Sequence, residues 1–168
     1  MPPIHIRLAT QADLPAINSI YNHYVLHSTC TYQEIPETPR DRLDWFAGHD
    51  PEKHPITVAT MDGEDDEVVG WGSLSPFHRR SAYRRTVENS VYVAPTHHRL
   101  GIGRGILIDL IARARAAGHH AIIASTDAEQ TASIALHHAI GFTDVGFLRE
   151  VGFKFDRWLH VRYMQLML

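Results

Sequence analysis

An acid stands where strands seldom keep one. In the run "TVENSVYV", Thr86 to Val93, Glu88 lies among Val87, Val91 and Val93, and carboxylates are depleted from apolar strands. A carboxylate in partly apolar surroundings is a suitable general base, because burial lifts its proton affinity toward neutral pH. A solvated residue on an edge strand accounts for the same acid. Alternation sets Glu88, Ser90 and Tyr92 on one face of the strand and Asn89, Val91 and Val93 on the other.

The strand breaks at Ala94-Pro95, and "THHRLGIGRG" then brings Gly101, Gly103 and Gly105 to the start of an amphipathic pattern. A strand, a glycine turn and a helix N-terminus make a place to hold phosphate, since the first backbone N–H groups of the helix have no internal partner. A P-loop is ruled out, because no Lys-[Ser/Thr] follows the glycines. A dinucleotide fingerprint fits poorly: the glycines fall late in the chain at a spacing of two, and no acid follows at the end of the next strand. A plain loop-to-helix turn that needs glycine explains the same residues.

Other candidates flank this pair of features. "FHRRSAYRR" holds Arg79, Arg80, Arg84 and Arg85 beside Phe77 and Tyr83. An arginine fork can grip a carboxylate, phosphinate or sulfonyl oxygen against an aromatic wall, although charge runs in loops are commonly solvated. Tyr32, in "STCTYQEIP", offers a second wall from the first loop. Cys30 is the only cysteine, so no internal disulfide can form; it reads as a packed thiol outside the site. Thirteen histidines include the adjacent pairs His97-His98, His119-His120 and His137-His138, whose members point to different sides of a helix and cannot easily share one ion; no metal is expected.

The elements that must position these groups follow from periodicity. Ile4 to Ala9 reads as a strand, Thr10 as a helix cap with Asp13 three residues on, and Leu14, Ile17, Ile20, Tyr21 and Tyr24 as one helix face. Arg40 to Gly48 suits a short second helix. "ITVATM" and "EVVGWGSLS" form a strand pair around the acidic turn "DGEDD". Leu107, Leu110, Ile111 and Ala114 form the stripe of a third helix ended by Gly118; "HAIIAS" is a buried strand, and "QTASIALHHAI" a fourth helix closed by Gly141. "GFLREVGFKF" and "WLHVRYMQLML" are the last strands. The 168 residues, 44% hydrophobic and 21% charged, fit one α/β domain with a mixed sheet over residues 1–168. The net charge of −3 argues against whole-molecule binding to nucleic acid or anionic membrane. No apolar run approaches a membrane span and the start has no signal-peptide core, so a cytoplasmic location is expected.

The segments "IRLATQADLPAINSIYNHYVLHST", "TVENSVYVAPTHHRLGIGR", "ASIALHHAIGF" and "GFKFDRWLHVRYMQL" resemble the GCN5-related N-acetyltransferase (GNAT) superfamily, within it the phosphinothricin and methionine sulfoximine N-acetyltransferases. The resemblance runs from Ile4 to Leu168. It implies the GNAT fold, a mixed central sheet with helices on both faces, and acetyl-CoA as cofactor. Arg99, Leu100, Gly101, Ile102, Gly103 and Arg104 would take the pyrophosphate, Val91, Tyr92 and Val93 the pantetheine arm through their backbone, and Gln130 would replace the usual asparagine of that arm. His98 replaces the usual Gln/Arg of the loop. Glu88 matches the family's catalytic glutamate and His137 its histidine near the acyl group, a proton relay or a packed helix residue. The acceptor pocket would draw on Tyr32, Phe77, Arg79, Arg80, Tyr83, Asn89 and Ser90. The implied acceptor is a small amino acid or analogue, and the implied assembly a homodimer. Another amine (polyamine, aminoglycoside or protein N-terminus), or an acyl-CoA-binding module without catalysis, are the rival readings.

Overall fold

The computed structural model describes residues 3–61 and 67–168; the acidic turn expected between the second and third strands lies outside them. The elements are β1 (Ile4–Leu8), α1 (Leu14–His27), α2 (Pro39–Ala47), β2 (Ile56–Met61), β3 (Glu67–Pro76), β4 (Thr86–Val93), α3 (Ile102–Ala116), β5 (Ala121–Asp127), α4 (Thr131–Ile140), β6 (Thr143–Lys154) and β7 (Arg157–Met167). All seven strands join one sheet in the order β1-β2-β3-β4-β5-β7-β6. Every pairing is antiparallel except β4 with β5, so the sheet is mixed.

Local chemistry accounts for the helix starts. The Asp13 carboxylate accepts from the Thr10 backbone N–H at 2.7 Å and pairs with Arg7 at 2.8 Å, fastening the entry to α1. Thr38 and Asp41 form the reciprocal capping box of α2, with Pro39 as first helical residue. α3 ends before Gly118 and α4 before Gly141, both with positive φ.

The helices cover the two faces differently. On one face, Ile102, Ile106, Leu107, Leu110 and Ala114 of α3 pack on Val69, Val87, Ile122 and Met164 of the strands. On the other, Leu14, Ile17 and Ile20 of α1 pack on Ile56, Val58 and Trp71. Side-chain alternation along β4 divides its residues between the faces: Val91 and Val93 meet the α3 layer, and Tyr92 stacks on Trp71 with ring centroids 4.8 Å apart. α3 can lie this close only because β3 carries glycine beneath it. A Cβ on Gly72 would stand 2.5 Å from Ile106 Cγ2 and 3.0 Å from the Ser90 carbonyl oxygen.

Gly72→Ala should therefore lower the unfolding free energy by about 1–3 kcal/mol through overpacking. Thermal unfolding followed by circular dichroism checks this; an unchanged midpoint would mean that α3 moves away without cost.

Candidate active site

The parallel ladder between β4 and β5 is short. It contains Thr86↔Ala121, Val87↔Ile122 and Glu88↔Ile123 and then stops, while β4 continues to Val93 and β5 continues to Asp127 paired with β7 alone. Past Glu88 the two strands part. The opening is a cleft of ≈ 870 Å³ whose walls are Asn89 to Val93 of β4, Ala124 to Thr126 of β5, and the start and inner face of α4. A strand edge without a neighbour leaves backbone N–H and C=O groups to be satisfied by something else. An extended ligand bearing its own amides would satisfy them as an added strand.

The floor of the cleft at its far end is the N-terminus of α3. Gly101 caps the helix with φ of 81° and nothing within 4 Å of where a Cβ would stand, so glycine is needed for the backbone angle and not for space. Arg99 also takes a left-handed φ, 64°. The turn thus aims the unpaired first-turn amides outward, and Arg99, Gly101, Ile102, Gly103 and Arg104 all line the cleft. Leu100 does not; its side chain packs into the core. The donor set of free amides and two arginines suits a diphosphate. His98 also lines the cleft and is held by Tyr24: the Tyr24 hydroxyl donates to the Val93 carbonyl and lies 2.6 Å from His98 Nε2, with the two rings stacked.

Glu88 stands on the last rung before the strands part, beside rather than within the cleft lining. It shares a face with Ser90 and, across the ladder, with Ser75. Its carboxyl is half-buried and makes no hydrogen bond among the described residues, and burial holds its pKa above the ordinary 4.5. An unpaired acid with raised proton affinity is a competent proton acceptor.

The loop between α1 and α2 closes one side. Lys154, 2% exposed, donates from Nζ to the carbonyls of Ser28 at 2.7 Å and Thr31 at 2.8 Å, so the β6–β7 hairpin braces that loop. Asn22 fixes its other end through two hydrogen bonds with Glu37, each 2.8 Å. Tyr32 is anchored outside the cleft, donating to Asp127 Oδ2 at 2.8 Å and to the His160 carbonyl at 3.0 Å. Gln130 lies in the lining and donates to Thr29 Oγ1 at 3.2 Å. Cys30 corrects the sequence reading: it lines the cleft, because the braced loop folds back over β4. Burial pushes its thiol pKa up, away from the thiolate that a nucleophile needs.

The expected acceptor residues divide. Asn89 and Ser90 line the cleft; Phe77, Arg79, Arg80 and Tyr83 do not. Those four occupy the connection from β3 to β4, at the end of β4 remote from the phosphate turn, where Phe77, His78 and Tyr83 cluster and both arginines face solvent. His137, expected near the acyl group, lines the cleft, and it is joined there by Tyr24 and by Ser133 and Leu136 of the same α4 face, which the sequence reading did not include. The i, i+3, i+4 spacing of the α4 trio was a readable signal for one helix face; Tyr24 gave none beyond its place in the α1 stripe. Among the described residues no cluster of three or more His, Cys, Asp or Glu side chains could hold a metal ion.

Lys154→Met should cost about 1–3 kcal/mol of stability by leaving the buried Thr31 carbonyl and the part-buried Ser28 carbonyl without their donor. Chemical denaturation measures it, and an unchanged midpoint would show that the ammonium does not brace the loop.

Residues 17–142 match the acetyltransferase (GNAT) family. The chain is 39% identical over 163 residues to an L-methionine sulfoximine/L-methionine sulfone acetyltransferase of Salmonella typhimurium, covering 97% of this chain and 94% of that protein. It is 38% identical over 161 residues to a phosphinothricin N-acetyltransferase of Alcaligenes faecalis, covering 95% and 80%. An acetyltransferase structure from Salmonella typhimurium, solved with its cofactor acetyl-CoA, superposes with a TM-score of 0.93 at 39% identity, over 98% of this chain and 94% of that one. With the parted strands, the glycine-capped helix and the acid on the last rung before the parting, these matches place the chain in the acetyltransferase (GNAT) family.

Proposed function

We propose that this protein moves the acetyl group of acetyl-CoA onto the α-amine of a small amino acid or analogue, of the phosphinothricin, methionine sulfoximine or methionine sulfone type. Relatives named for those acceptors align over nearly the whole chain, which supports the substrate class. The observation that carries the chemistry is Glu88: a half-buried carboxylate without a hydrogen-bond partner among the described residues, on the last rung before β4 and β5 separate.

Bound in the cleft, acetyl-CoA supplies a thioester carbonyl that an amine can attack. The chain's own residues do the rest. Amides at the start of α3, with Arg99 and Arg104, hold the diphosphate. The unpaired edge of Val91, Tyr92 and Val93 aligns the arm behind it, and a free N–H of that edge steadies negative charge on the carbonyl oxygen. Glu88 takes the proton that an amino acid's ammonium must lose before it can attack, directly or through water. Attack is direct: the first proton goes to Glu88, the new bond is C–N, the bond broken is C–S, and coenzyme A leaves as a thiolate that takes up the second proton released from the amine nitrogen. Cys30, its thiol held protonated, takes no covalent part. Arg80 and Tyr83, just upstream of β4, would contact the acceptor's acidic group as it enters from the Glu88 side.

Whole-domain function in residues 1–168, a cytoplasmic setting and a homodimer complete the reading. Exposed apolar side chains on the β6–β7 hairpin support the dimer: Phe147, Val151, Phe153, Phe155 and Trp158 are each about half exposed, and grouped apolar side chains at a surface mark protein contacts.

Glu88→Gln should lower turnover by ~10²–10⁴ while acetyl-CoA affinity stays nearly constant. Free-thiol release with a panel of amino acids including phosphinothricin, methionine sulfoximine and methionine sulfone measures it, and undiminished turnover at saturation removes Glu88 from the mechanism. The same assay against pH should show kcat rising with pH through an acid limb above 4.5, because the base works only when deprotonated and its pKa is raised. The double variant Phe153→Glu/Trp158→Glu should convert a dimer to a monomer by light scattering; an unchanged mass puts the subunit contact elsewhere.

A further inference from the structure

The wall of the cleft contains one side chain whose orientation is dictated by another. Asn89 lies on the α3/α4 face of β4, opposite Leu74 in register, and is 7% exposed. Its Nδ2 is 3.0 Å from His137 Nε2, and His137 Nδ1 is 2.8 Å from the Ser133 carbonyl one turn back along α4. A carbonyl can only accept, so Nδ1 carries a proton. The ring, 3% exposed and edge-on to Phe142, is kept neutral by burial, so Nε2 is a bare lone pair. That lone pair accepts from the Asn89 amide and thereby decides which way the amide is turned.

Two consequences follow. His137 has no lone pair left with which to take a proton from an amine, and its one N–H is committed to α4. Asn89 Oδ1, on the other side of the same amide, is buried in the wall of the cleft with no hydrogen-bond partner among the described residues. A buried acceptor left empty is costly and native proteins rarely keep one. The acceptor amine is not its partner: Glu88 is the next residue along the strand and points to the opposite face. The donors that remain for this side of the slot are the amide N–H groups of the coenzyme's pantetheine arm.

We propose that Asn89 Oδ1 receives an amide N–H of the pantetheine arm, and that His137 is a positioning residue that sets the Asn89 amide and moves no proton. The proposal rests on the acetyl-CoA reading above. The side-chain hydrogen bond would add to the backbone contacts of Val91 to Val93 and would hold the arm near its reactive end.

The first test is calorimetry with coenzyme A, which needs no turnover. Asn89→Ala should weaken binding roughly tenfold, the worth of one buried neutral hydrogen bond. Asn89→Asp, which keeps the acceptor oxygens, should stay close to wild type and guards against a folding failure in the alanine variant. Two coenzyme analogues, each with one pantetheine amide N–H replaced by an ester oxygen, identify the donor: one should lose affinity with wild type and lose nothing further with Asn89→Ala. Equal binding of wild type and Asn89→Ala, or additive losses with both analogues, would overturn the assignment. Failure of wild type to bind coenzyme A at all would sink the acetyl-CoA reading instead. The second test is the ¹⁵N spectrum of His137 in the ligand-free protein. A protonated Nδ1 and a bare Nε2, persisting below the ordinary histidine value of 6.5, are expected. In Asn89→Asp the carboxylate should draw a proton onto Nε2. A wild-type His137 that titrates at its ordinary value would overturn the positioning role.

Discussion

The structure turns on a ladder that stops early. β4 and β5 run parallel for three residue pairs and then part, and every group assigned to the site takes its place from that separation. A continuous ladder would have satisfied the β4 backbone internally and left no slot. The parting leaves five residues of β4, Asn89 to Val93, with no strand on one side. Unpaired backbone at the centre of a sheet is expensive, and it persists where a ligand completes the pairing. α3 beneath and α4 beside the opening hold the walls apart.

Around this slot the polar groups fall into two kinds. Some are fully employed and serve as braces: Lys154 on two carbonyls, Asn22 on the Glu37 backbone, Tyr32 on Asp127 and His160, His137 between Ser133 and Asn89. Others are left with capacity unspent: the Glu88 carboxylate, the Asn89 carbonyl and the amides at the start of α3. The second kind marks where ligands belong, because folding tolerates unsatisfied polar groups mainly where binding later fills them. The two sides of β4 divide the labour, with the acid on the α1 face and the orphaned amide oxygen on the α3/α4 face.

The aromatic column on the α1 side supports the same strand from behind. Arg42 lies 4.7 Å from the Tyr21 ring centroid and 4.5 Å from that of Trp45, while Trp71 stacks on Tyr92. The buried guanidinium is paired with Glu37, which Asn22 holds in turn. One set of contacts thus fixes α1, α2, their connecting loop and the outer half of β4. The cleft is built from rigid elements on three sides, which suits a site that must align a long, flexible carrier.

Much of this was legible along the chain. The alternation of "TVENSVYV", the helical stripe of α3 and the glycines of its cap are local patterns, set by a period of two, a period of 3.6 and a required positive φ, and each appears where those patterns place it. The family followed from motifs spread over nearly all of it. What tertiary structure alone decided was which residues meet. The return of the first loop over β4 put Cys30 in the wall, the route of the β3–β4 connection left Arg79 and Arg80 in solvent, and the docking of α4 gave His137 to Asn89 across 48 positions of sequence. Hydrogen-bond capacity is a property of residue type, but whether it is spent depends on neighbours that only folding brings within 3 Å.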